Sequence, residues 1–216
     1  MTDRLVMPLG LWSSVVVAVL GAVFLALLIG YFSTEGFVLP PTTVVQFIGG
    51  IIAFLTAPAL LVLFAAIKHS APTGRTILGA LGLAFTGLLA VCVSINRFVQ
   101  LPVIRLGPPG PASRDLARFL PYSTDSVIFA LEILGWGFLL SLAALFVAPL
   151  FGGNRRQNSI RWRLILFALF SLMSVIGFVT ATRITAGAFV AWGPILVALA
   201  ILPAVHFRSG EGRPST

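Results

Sequence analysis

Six side chains in this sequence are of types that can do chemistry and fall where lipid would otherwise surround them: Glu132, Arg97, Asn96, Gln100, Gln46 and Trp136. Glu132 stands seven residues after Asp125 inside an apolar run, so at 1.5 Å per residue it lies roughly 10 Å into a helix. An ionised carboxylate at that depth costs about 2.5–3.5 kcal/mol unless it is paired, hydrated or protonated. It therefore needs a partner or a proton. Arg97, Asn96 and Gln100 occupy the last turn of the preceding span, on the same side of the membrane, and can donate to it. Gln46, one turn into an earlier span from that side, is a further donor. Helical spacing puts Asp125, Phe129, Glu132, Gly135, Trp136 and Leu139 on one face, which directs that face into a bundle.

Two kinds of chemistry follow from this cluster. In one, Glu132 and Arg97 line a polar cavity open to the outside and bind a small polar solute or an ion, or exchange a proton. In the other they form a buried interhelical ion pair that sets helix register, with no ligand. Glu132→Gln separates the two: a chemical role predicts lost activity with folding intact, and a register role predicts lost folded protein.

Other chemistries find little support. His69 and His206 both fall at inner span ends, which is geometrically open to a bis-histidine haem, but such ligands usually sit within spans. Retinal needs a Schiff-base lysine, and Lys68 is the only lysine and lies at a loop boundary. Cys92 is the only cysteine, so neither an intrachain disulfide nor a cysteine metal site can form. No HExxH, GxSxG, Cys–His pair or phosphate-binding glycine loop occurs, which points away from an enzyme. No cofactor and no metal are expected.

The elements that hold the cluster must be membrane helices. The chain has 216 residues, of which 58% are hydrophobic and only 9% charged, with a mean hydropathy of +1.07; soluble domains carry about 25% charged residues. Apolar runs of this length cross the roughly 30 Å hydrocarbon core as helices, and their continuity excludes an alternating barrel pattern. Six spans are expected, at about 9–32, 42–67, 76–99, 124–151, 162–182 and 186–207, as one all-α bundle. The first is too long for a signal-peptide core of about 7–15 residues and reads as retained. Trp12, Tyr31 and Trp162 mark lipid boundaries, and Pro58 predicts a kink in span two.

Between spans three and four, ASRDLARFL puts Leu116, Phe119 and Leu120 on one side and Arg114 and Arg118 on the other, with Ser113 as cap. This pattern predicts a short helix lying in the interface. Ser123, Thr124 and Asp125 are expected to start span four. The loop GGNRRQNSIRWR is the densest basic patch, and Arg183 with Thr185 closes a tight hairpin into span six. With the N-terminus inside, nine basic residues lie inside and five outside, which places both termini in the cytoplasm of a cell with this chain in its inner (plasma) membrane. The net charge of +8 thus serves orientation and contact with the lipid bilayer rather than nucleic acid.

The strings NRFVQL at 96–101 and FALEILGWGFLLSLAALFVAPLF at 129–151 resemble small prokaryotic six-span integral membrane proteins of unassigned function. The resemblance implies a helical inner-membrane protein and draws attention to Glu132 and Arg97; it carries no activity. The function expected from the residues is a small-solute or ion/proton carrier, or a solute-binding protein, with an outward pocket around Glu132 and Arg97. The alternative is a non-catalytic accessory subunit or sensor whose outer loop meets a partner membrane protein.

Overall fold

Runs of Leu, Ala, Val, Ile and Phe with no charge satisfy their backbone in lipid only as helices, and six such helices form in the computed structural model, which describes residues 3–36, 38, 41–105, 119 and 126–209. They are α1 (Asp3–Glu35), α2 (Thr43–His69), α3 (Thr76–Arg105), α4 (Val127–Leu150), α5 (Arg155–Val179) and α6 (residues 187–208). All six are long and apolar enough to cross a membrane. The chain is an all-α, multi-pass membrane protein.

Several boundaries differ from expectation, each for a local reason. α1 begins near Asp3 and runs through Pro8, and α3 runs past Pro102 to Arg105; a proline near a helix end removes only one backbone bond. α5 begins at Arg155 rather than Trp162, because the Asn154 side chain caps it by accepting from the Gln157 N–H at 2.9 Å. The basic patch is thus the first turns of a helix, not a loop. α4 begins at Val127 with Ser126 as its cap, its hydroxyl accepting from the Phe129 N–H at 3.2 Å. The interfacial helix expected around Ser113 to Leu120, and the cap expected at Ser123 to Asp125, fall outside the described residues apart from Phe119.

Packing follows chain order and closes on itself: α1 against α2, α2 against α3, α3 against α4, α4 against α5, α5 against α6, and α6 back against α1. Small residues permit the close approaches. A Cβ on Gly82 of α3 would stand 2.4 Å from Val147 of α4, and one on Gly10 of α1 would stand 2.6 Å from Phe207 of α6. Around the ring axis the half nearest the two described chain ends is filled by Val17, Leu60, Phe64, Leu140, Phe167 and Leu196, leaving a void of only about 30 Å³. The other half is not filled.

Two helices contain π-helical turns, Ile133–Leu139 in α4 and Ala191–Ile195 in α6. In α6 the cause is Pro194, which cannot donate to residue 190 and crowds its carbonyl, so the turn widens. In α4 the Ser141 hydroxyl bonds the Gly137 carbonyl and also reaches the Ala168 carbonyl of α5 at 3.2 Å.

Three basic side chains at the filled end tie elements together. Arg75 donates to Pro149 O at 2.8 Å, Arg163 to Ala198 O at 3.1 Å, and Arg156 to the Ser209 hydroxyl at 3.0 Å. Arg155 and Arg161 are exposed there.

α5 ends in a Schellman turn, with the Thr182 N–H bonded to Gly177 O at 2.8 Å and the Ala181 N–H to Phe178 O at 3.3 Å. Ala181 takes the left-handed position at φ 52°, where an L side chain costs about 1–2 kcal/mol. Ala181→Gly is therefore expected to raise stability by about 0.5–1 kcal/mol after glycine's own entropic cost. Thermal unfolding in detergent checks this, and an unchanged or lowered midpoint would contradict it.

Candidate functional site

The unfilled half of the ring holds a cavity of about 400 Å³ between the C-terminal ends of α1 and α3 and the N-terminal ends of α2, α4 and α6. Its size lies within the roughly 300–1,000 Å³ of ordinary small-molecule sites. The walls are mainly apolar, with Phe24, Leu28, Ile52 and Phe129 among them; Arg97, Gln100 and Glu132 gather on the side of α3 and α4, and Gln46, Thr56 and Thr185 stand elsewhere around the space.

Asn96 and Arg97 each stand one turn from Gln100 on α3, and all three are buried. Glu132 faces them, six residues beyond the Ser126 cap, about 9 Å along α4 at 1.5 Å per residue. The Arg97 guanidinium pairs with Glu132 Oε1 through Nη2 and donates to Gln100 Oε1 through Nη1. The Asn96 amide donates to Glu132 Oε2 at 2.6 Å and to Ile128 O at 3.3 Å. Both carboxylate oxygens are thus engaged, and the two charges compensate inside a medium that would penalise either alone. Gly50 of α2 helps set this arrangement, since its missing Cβ leaves room for Leu101 at 2.9 Å and the Arg97 stem at 3.9 Å.

Of the residues singled out in the sequence, the structure brings Arg97, Asn96, Gln100 and Glu132 into one hydrogen-bonded group and sets Arg97, Gln100, Glu132, Gln46 and Trp136 along the cavity. Gln46 does not reach Glu132. Its amide turns back to Pro41 O at 2.6 Å, closing the turn before α2. On the expected face of α4, Phe129, Glu132 and Trp136 reach the cavity, whereas Gly135 lies against Leu89, Cys92 and Val93 of α3. Asp125 falls outside the described residues. His206 sits at the opposite end, its ring edge-on to Phe151 at 5.7 Å and to Phe207 at 5.5 Å.

Sequence reasoning missed Trp192 and Thr185. Trp192 lines the cavity beside Trp136, their ring centroids 6.4 Å apart and inclined at 50°. A signal was present: Trp–Gly occurs both at Trp136–Gly137 and at Trp192–Gly193, and each pair falls in a π-helical turn, an irregularity frequent at functional sites. Thr185 carried no such signal, because its place depends on how tightly the α5–α6 hairpin closes.

Compared with known proteins, the chain matches no family model, no curated protein and no solved structure.

Proposed function

We propose that this multi-pass membrane protein binds a small amphipathic solute in the cavity between its helix ends, as a carrier or a membrane-embedded solute-binding protein. The observation that carries the reading is the roughly 400 Å³ space with an apolar wall on one side and the Arg97–Glu132–Gln100 group on the other. That volume is far larger than a bare ion or proton needs, and its mostly apolar lining favours a solute with an apolar body. The polar group then orients the solute, since a few placed polar groups in an apolar pocket fix direction. The excess of basic residues at the opposite end supports an inner (plasma) membrane location with both termini cytoplasmic, so that the cavity faces outward.

Filling the cavity tests the proposal without touching a charge. Ala53 of α2 lines it and makes no side-chain hydrogen bond. Native mass spectra of the parent, released from nanodiscs, are expected to show a retained small molecule, and Ala53→Trp is expected to remove it while the bundle stays folded. Identical spectra for the two, with bulk lipid alone, would sink the proposal. Uptake into proteoliposomes of the molecule so identified then separates a carrier from a binding protein.

The accessory-subunit reading draws on a different observation, that Arg97 and Glu132 already satisfy one another. A second protein chain that co-purifies with the parent and with Ala53→Trp alike would favour it.

A further inference from the structure

The hydrogen-bond balance around the cavity narrows the chemistry of what fits there. Four buried polar atoms on lining residues have no partner among the described residues: Arg97 Nε, Gln100 Nε2, Trp136 Nε1 and Trp192 Nε1. All four are donors. The orientation of the Gln100 amide is not free, because its oxygen accepts from the Arg97 guanidinium, which can only donate. The remaining unpartnered acceptor of the cluster, Asn96 Oδ1, belongs to a residue outside the lining. Buried polar groups are nearly always hydrogen-bonded, so four unpartnered donors around one space ask for acceptors.

Charge and shape add two further constraints. The guanidinium is paired with Glu132, so the described lining residues leave no unpaired charge for an anion or a cation. Four aromatic rings, Phe24, Phe129, Trp136 and Trp192, line it, and aromatic walls favour flat π-systems packed offset or edge-on.

We infer that the cavity takes a neutral, flat, conjugated molecule bearing carbonyl-type acceptors, held by the indole N–H groups of Trp136 and Trp192. This inference rests on the solute-binding reading above and names its ligand class. The two indole N–H groups are covered in the present conformation, so the ligand draws them round as it enters. Both rings sit on π-helical turns, where the backbone hydrogen bonding departs from the regular helix. A carbonyl compound of this class reaches the site either from the aqueous side or, with an isoprenoid chain attached, from the bilayer.

Duroquinone is a suitable probe, being flat and neutral with two carbonyl acceptors, and durene is the same methylated ring without them. Both are titrated into purified full-length protein in detergent, with protein-free micelles as the blank. Duroquinone is expected to bind at least about tenfold tighter than durene. The pair Trp136→Phe and Trp192→Phe keeps an aromatic ring at each position and removes both N–H groups. It is expected to abolish that discrimination, lowering duroquinone affinity roughly tenfold and leaving durene unchanged. A merely structural role for the tryptophans would lower both together. A ubiquinone with one isoprene unit that binds tighter than duroquinone would identify the bilayer as the source, and weaker binding would identify the aqueous side.

Two results overturn the inference. One is equal affinity for duroquinone and durene in the parent; the other is discrimination that survives the double substitution. Either leaves the solute-binding proposal standing if Ala53→Trp still strips a retained molecule from the parent, and a parent that retains none removes both.

Discussion

Glu132→Gln is expected to lower the stability of the folded bundle by about 3–5 kcal/mol, because it leaves the Arg97 guanidinium buried without a counter-charge; the ion pair thus sets helix register whether or not the cavity beside it holds a solute. Arg97→Met is expected to cost less, about 1–3 kcal/mol. The asymmetry is chemical. A guanidinium cannot shed its charge at any ordinary pH, whereas a carboxyl left alone can take up a proton and keeps the Asn96 amide as donor. Combining the two substitutions removes both charges and should recover much of the loss from Glu132→Gln alone, a strong departure from additivity expected only of groups in contact. Unfolding of all four proteins in one detergent, followed by size-exclusion chromatography, reads this directly. A double variant as unstable as the sum of the singles would mean that the charges do not compensate one another.

Gly177→Ala is expected to have the other large effect. A Cβ there would stand 2.1 Å from the backbone nitrogen of Thr185 and 2.7 Å from the carbonyl carbon of Ile184. Those are main-chain atoms of the turn Arg183–Ala186, which cannot rotate away as a side chain would. The hairpin must open, at about 3 kcal/mol, the upper end of ordinary overpacking costs, or roughly 6–12 °C in Tm for a chain of this size. Thr185 and Ala188 line the cavity, so retention of the solute should fall as well. Gly30→Ala is the control: among the described residues nothing lies within 4 Å of that Cβ, and the residue is exposed on α1, so the change should be neutral or slightly stabilising. If Gly177→Ala unfolded no earlier than this control, the hairpin would have slack that the packing does not suggest.

The polar cluster was legible because burying charge in lipid is so costly that an isolated acid demands a donor nearby. Glu132 named the need, and Arg97, Asn96 and Gln100 were the donors at the matching helix end. The part assigned to Gln46 was not legible. Whether its amide turns to Glu132 or back to Pro41 depends on competing local acceptors, and pattern says nothing of that choice. The start of α5 is not legible, because clustered charge reads as loop, whereas the Asn154 cap lets a helix begin among arginines at the water boundary.

By itself the sequence determined that this chain crosses a membrane six times as helices, because uncharged runs of that length have no other way to satisfy their backbone in lipid. It also determined which side chains must find each other, through the cost of leaving them alone. Only the tertiary structure decided that the helices close into a ring, that one half of its axis is packed and the other is hollow, and that Trp136 and Trp192 meet there. Those outcomes depend on the summed volumes and close approaches of side chains far apart in the chain, and no local pattern of residues carries that sum.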